Sequence, residues 1–175
     1  NVEILSLLEK LFNSGQALTD LISNQFFMGV KTGLNEAFII DETTRQELIS
    51  QDENSQDLIK PWLRGRDLKR WQTNWDNIYV IFTYHGVNIE KYPAIYQFLE
   101  RFRQDLEKRA TVGSHKWYEL QQPQMGVYAN FGKPKIIYPH FNTTVNFTFD
   151  ESGAFINDRS YIIPTSDLYI LGVLN

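Results

Sequence analysis

A chain of 175 residues, 42% of them hydrophobic, is long enough for one packed domain and too apolar to remain disordered. The absence of cysteine excludes disulfides and zinc–thiolate centres, and no run of 18 apolar residues is available for a transmembrane helix. The net charge of −4 conceals an asymmetry: residues 1–59 hold 3 basic and 10 acidic side chains, 60–140 hold 13 and 7, and 141–175 hold 1 and 4.

Apolar residues at 2, 4, 5, 7, 8, 11 and 12 predict a helix over 2–12, stopped at Gly15. It opens without an upstream cap and reads as truncated. Residues 26–40 predict two short strands around a turn at Gly33, followed by a short helix near 43–50 with Thr43 and Thr44 as its caps. The Ile-, Tyr- and Val-rich stretch 76–84 predicts a buried strand. Pro93 opens a long amphipathic helix over 93–109, with Ile95, Phe98, Leu99, Phe102 and Leu106 as its stripe. Residues 111–132 lack a period and read as a long functional loop. Strands are predicted at 135–139, 145–150 and 160–163, and Asp167 caps a last helix that also reads as truncated. The fold class expected is α+β, a single domain with a mixed or mostly antiparallel sheet.

No phosphate-cradling glycine loop, nucleophile elbow or metal-ligand spacing occurs; His85, His115 and His140 are far apart in the chain. No Asn/Asp-Pro-Pro-aromatic motif of an amino-methyltransferase is present, and no spaced acidic pair followed by Lys of a metal-dependent nuclease. Catalytic, cofactor and metal residues are therefore expected to be none. The N-terminus carries no basic segment followed by an apolar run and a cleavage site, and the lack of cysteine fits a reducing cytoplasm; a cytoplasmic protein with no membrane partner is expected.

The densest basic segment is residues 60–70, with Lys60, Arg64, Arg66, Lys69 and Arg70 against one anion, Asp67. Such a run reads either as a solvated face or as a phosphate-binding stretch, because Lys and Arg neutralise backbone charge and release counterions. Asp67 can orient a neighbouring Arg. Trp62, Trp71 and Trp75 around the run are expected to pack in the core.

The segments GVKTGLNEAF (29–38), KPWLRGRDLKRW (60–71), KYPAI (91–95), WYEL (117–120) and PKIIYP (134–139) occur in this order. Together they resemble the TaqI-like C-terminal specificity domain of restriction-modification methyltransferases, including fused methyltransferase-endonucleases. The resemblance implies a DNA target-recognition domain over residues 25–175, continuing beyond the C-terminus, with 1–24 as a linker helix and connection from the catalytic domain of the same chain. It implies double-stranded DNA as the partner, an adenine-type methyltransferase as the parent, and S-adenosylmethionine held only in the missing catalytic domain. Lys60, Arg64, Arg66, Lys69 and Arg70 match the family's basic run and become DNA-contact candidates. Lys31, Thr32 and Asn35 flank the glycine-rich turn and either approach phosphates or only shape a hairpin. A motif common to readers of different sequences serves phosphate binding or fold, so base readout is expected from the 111–132 loop: His115, Lys116, Gln121, Gln122, Gln124 and Asn130. Lys133 and Lys135 are candidate phosphate contacts. The competing reading is a protein-interaction module docking a methyltransferase or defence partner without touching DNA; a hydrolase of unrecognised geometry ranks behind both.

Overall fold

The computed structural model describes residues 2–110 and 113–175. The first two positions of the 111–132 loop, and the side chain at position 2 of the leading helix, lie outside the described residues.

Among the described residues, eight strands form two four-stranded sheets. Sheet one has the order β1 (Phe27–Met28), β8 (Ser160–Pro164), β5 (Lys135–Pro139), β6 (Thr148–Asp150), and every pair is antiparallel. Sheet two has the order β2 (Ile39–Asp41), β4 (Ile78–Ile81), β3 (Ile59–Leu63), β7 (Phe155–Ile156); only β3 and β7 run parallel. Strands 135–139 and 160–163 thus stand where the β-branched runs predicted them. The expected hairpin around Gly33 does not form: β1 and β2 belong to different sheets, and α3 (Asn35–Phe38) lies between them.

Helices α4 (Glu42–Gln51) and α5 (Pro93–Glu100) help build the larger core, with Leu48, Ile95 and Leu99 among its fully or nearly buried members. Burial of side chains of this size contributes about 1.5–3 kcal/mol each. The predicted 93–109 helix breaks at Arg101–Phe102 and resumes as α6 (Arg103–Leu106), yet the apolar stripe continues through Leu106, which is fully buried. A smaller core lies on sheet one, where Ile136 and Ile163 meet Ile22 from just after α2 (Leu18–Leu21) and Leu171 from α7 (Leu168–Leu174). Asp167 caps α7 by accepting from the Tyr169 N–H at 2.8 Å, as its position before the apolar run predicted.

The cap of α4 is Asp41, not Thr43 or Thr44: its carboxylate accepts from the Thr44 N–H at 2.8 Å. That bond holds the Asp41 pKa below the ordinary carboxylate value. Asp41→Ala should cost about 1 kcal/mol in a thermal melt. Because the folded-state pKa is depressed, the contribution is present above the ordinary value and fades as acid carries the pH down through the lowered one.

Helix α1 (Val2–Ser14) stops before Gly15, where the sequence placed its end. Its apolar stripe is open: Ile4, Leu5, Leu7, Leu8, Leu11 and Phe12 are all exposed. Among the described residues, no helix is long and apolar enough to cross a membrane.

Candidate nucleic-acid interface

Two of the chain's crossings between the sheets lie side by side, and these build the site. The glycine-rich segment leads from β1 in sheet one to β2 in sheet two. The turn 157–159 leads back from β7 to β8. The two segments are laced together: Gly29 N–H donates to Ser160 O at 2.9 Å, Val30 N–H donates to Ile156 O at 2.8 Å, and Val30 bridges Asn157. On its other side Lys31 exchanges two backbone bonds with Gln122, at 3.0 and 2.9 Å.

Beneath this segment lies Arg109, a buried arginine absent from the sequence candidates. Its guanidinium donates to the carbonyls of Leu106, Thr32 and Trp117, and burial lowers its pKa. The role is to hold the glycine-rich segment against the polar loop, not to meet a ligand. Thr32 is likewise internal: it is buried, and its hydroxyl donates to Asn35 Oδ1 at 2.7 Å. Lys31 is half-buried and Asn35 exposed, and both line a depression of about 510 Å³ with Glu36, Asn157, Asp158 and Arg159.

The basic run follows β3. Trp62 and Leu63 point into the core, and Lys60 is half-buried on the strand opposite Val80. Arg64 is locked in place: its Nε and Nη2 donate to the two oxygens of the buried Asp67 carboxylate, each at 2.9 Å, and Nη2 also meets Asp76. Bonds to Asp67, then to Asp76, raise its pKa against the effect of burial. Asp67 therefore orients Arg64, as its place in the run suggested, and Arg64 shapes the turn instead of offering a free cation. Arg66 differs, with 71% of its side chain exposed. Arg66 and Lys69 line a second depression, about 430 Å³, with Pro139, Phe141, Asn142, Asn146, Asn157 and Arg159. Arg70 is exposed, donates to the Asn175 carbonyl and lies 5.4 Å from the Trp71 ring centre.

Asn157 and Arg159 line both depressions, so the two form one concave face along the seam between the sheets. Its cations are Lys31, Arg66, Lys69 and Arg159, against Glu36 and Asp158. Arg159 was missed by sequence reasoning, although it is the single basic residue of 141–175 and stands just before a predicted strand.

The remaining candidates separate. Gln121, Gln122 and Gln124 flank the glycine-rich segment: Gln121 N–H donates to Thr32 O at 3.3 Å and Gln124 Nε2 to Gly29 O at 3.4 Å. His115 and Lys116 go elsewhere, the first stacked on His85 at 5.4 Å and the second 5.6 Å from the centre of the Tyr118 ring. Lys133 donates to Asn130 Oδ1 at 3.0 Å and lines a separate hollow with Asn130, Gln25 and Pro164. Lys135 is a correction. Its side chain is fully buried in β5, donates to Phe131 O at 2.6 Å and pairs with Asp150 of β6 at 2.5 Å. Strand alternation turns it inward, so it cannot reach a phosphate; burial lowers its pKa while Asp150 opposes the shift. Trp71 and Trp75 are corrections in the other direction, 50% and 39% exposed, and only Trp62 packs in the core. Among the described residues, no group of three His, Asp or Glu side chains is placed to hold a metal ion.

The model of the TaqI-like C-terminal specificity domain matches residues 60–175, about two thirds of the chain. The chain belongs to this family. The matched part of this specificity domain includes the basic run, the 139–146 loop and the 157–159 turn. The glycine-rich segment precedes it and is tied to it through Gly29 and Val30. Type II methyltransferase M.MjaIV of Methanocaldococcus jannaschii is 26% identical over 160 residues, spanning 85% of this chain and 53% of the relative. The chain thus spans about half the length of that relative. The structure of the type IIL restriction-modification enzyme MmeI in complex with DNA matches with a TM-score of 0.56 at 14% identity, covering 85% of this chain and 20% of that one. At that identity the likeness is one of fold.

Proposed function

We propose that this specificity domain binds double-stranded DNA as the target-recognition module of a restriction-modification methyltransferase. The observation that carries the reading is the single concave face in which Lys31, Arg66, Lys69 and Arg159 converge from three separate places in the chain. A groove edged by cations suits a phosphate backbone. Its lining amides Asn142, Asn146 and Asn157, with the exposed Gln122 whose backbone pairs with that of Lys31, suit base edges, since Asn and Gln bond adenine N6 and N7 together. Lys60 and Arg70 lie along the same run and extend the backbone contact. Family membership, the methyltransferase relative and the DNA-bound fold neighbour all support the reading.

The parent chain then methylates adenine N6 with S-adenosylmethionine held in its catalytic domain, and this domain supplies placement without chemistry. The open stripe of α1 gives that catalytic domain an apolar surface to pack on. A restriction-modification enzyme works in the cytoplasm. A protein-docking module that avoids DNA fits less well. It calls for a basic run consumed by ion pairs, whereas Arg64 is locked that way, Arg66 meets Asp67 at 3.9 Å with 71% of its side chain still exposed, and Lys69 and Arg70 face solvent.

Duplex affinity of the full-length chain, measured across a salt series, tests this. Wild type should show log affinity falling linearly with log salt. The triple variant Arg66→Ala, Lys69→Ala, Arg159→Ala should bind more weakly and lose about 0.9 of slope per phosphate contact removed, about 3 in all. An unchanged slope in the triple variant refutes the site, and no duplex binding by wild type refutes the function.

A further inference from the structure

Trp71 sits where a tryptophan is costly. Residues 69–72 form a tight turn, with Lys69 N–H donating to Gln72 O at 3.0 Å and Leu68 bridging Thr73 beyond it. Trp71 has φ +78°, in the left-handed region that glycine and asparagine enter easily and bulky side chains avoid. Five non-glycine residues with positive φ are found among the described residues; the other four, Ser23, Asn24, Asn77 and Gln124, are small or polar. Strained positions of this kind persist where the surrounding structure enforces them and cluster at functional sites. Here the backbone is enforced: Trp71 N–H donates to Phe147 O at 3.1 Å, and Trp71 bridges Thr148 of β6. The ring, however, gains little from the fold. It is 50% exposed, and the contact it makes from its own turn is with the Arg70 guanidinium.

The cost of the backbone is thus not offset by core packing, and an indole is held out against Arg70, in the run that also carries Arg66 and Lys69. We infer that Trp71 is a DNA-contact residue whose ring packs on deoxyribose of the strand whose phosphates those cations neutralise. In an intact duplex the base faces are stacked and hidden, and the apolar surface between successive phosphates is the sugar. The neighbouring charges place phosphates there, so the indole meets the sugar between them. Such a contact carries no charge and reads no sequence. The inference rests on the DNA-binding reading above.

The test uses the full-length chain with Trp71→Gly and Trp71→Phe. Glycine relieves the left-handed backbone while losing a half-exposed ring, so the melting temperature should stay within about 3 °C of wild type. Duplex affinity should fall about five- to tenfold, the scale of one lost aromatic contact. The loss should be equal on target and unrelated duplexes, with the salt slope unchanged, and the phenylalanine variant should keep most of the affinity. Wild-type affinity in the glycine variant overturns the inference while leaving DNA binding intact. So does a large drop in melting temperature without loss of affinity, which would place the ring against protein. A change in salt slope also overturns it, because the contact would then be electrostatic. Failure of wild type to bind duplex at all removes both readings, which keeps the two failures distinguishable.

Discussion

Replacing Lys135 with methionine is expected to cost about 3–5 kcal/mol of folding stability and to leave the duplex affinity of the folded protein unchanged. The side chain is fully buried, and its ammonium is shared between the Phe131 carbonyl and the Asp150 carboxylate. Methionine fills similar space but leaves a buried carboxylate without its cation. Asp150 retains Ser152 Oγ at 2.6 Å and the Ala154 N–H at 3.3 Å, so the lower end of the range is favoured. The double variant Lys135→Met, Asp150→Asn should recover part of the loss, because the uncompensated charge is then gone. Urea unfolding of the three proteins measures this. The pH dependence has a definite sign. Burial lowers the folded-state pKa of Lys135, so between that value and the ordinary lysine value the unfolded chain binds more protons. This group's contribution to stability therefore rises with pH across that window, and the methionine variant should lose that part of the slope. A variant of normal stability with weakened, less salt-sensitive DNA binding would return Lys135 to the surface.

That result bears on what the sequence could disclose. Lys135 and Lys133 look alike in a basic stretch, and only pairing with Asp150, fifteen residues on, turns one inward. Local patterns were legible where their causes are local. Pro93 opens α5, Asp167 caps α7, and the β-branched run 135–139 is a strand at those residues. The break at Arg101–Phe102 was hidden because no Gly or Pro marks it and both pieces turn apolar residues to one core. The strand β7 has two residues, too few for any period to appear. The hairpin expected at Gly33 failed because the segment's true partners are Asn157 and Gln122, which local reading cannot reach. The candidate site divides along the same line. Arg66 and Lys69 were legible from charge density, whereas Arg159 was obscured by the acidic segment around it and acquires its meaning from the fold.

Gly29→Ala should be among the most damaging single changes, costing on the order of 3 kcal/mol, the upper part of the range for inserting atoms into a packed interior. A Cβ at this position would lie 2.1 Å from Asn157 O, 2.5 Å from Ile156 O and 2.6 Å from Asn157 C. All three are backbone atoms, so no side chain can rotate away. The glycine is required by close approach of two chain segments and not by its own torsion angles. Moving them apart breaks the bonds from Gly29 N–H to Ser160 O and from Val30 N–H to Ile156 O. Those bonds join the β1–β2 and β7–β8 crossings between the sheets, so the damage is functional as well. Lys31 would separate from Arg159 and Asn157, and the concave face would divide into its two halves. Duplex affinity should therefore fall even under conditions where the variant remains folded. Gly126→Ala is the matched control, since an added Cβ there meets nothing within 4 Å. It should alter neither the melting temperature nor the affinity. If Gly29→Ala lowers stability but binds duplex as wild type does, the glycine-rich segment and the 157–159 turn do not act as one surface, and DNA contact then belongs to the half of the face that holds Arg66 and Lys69.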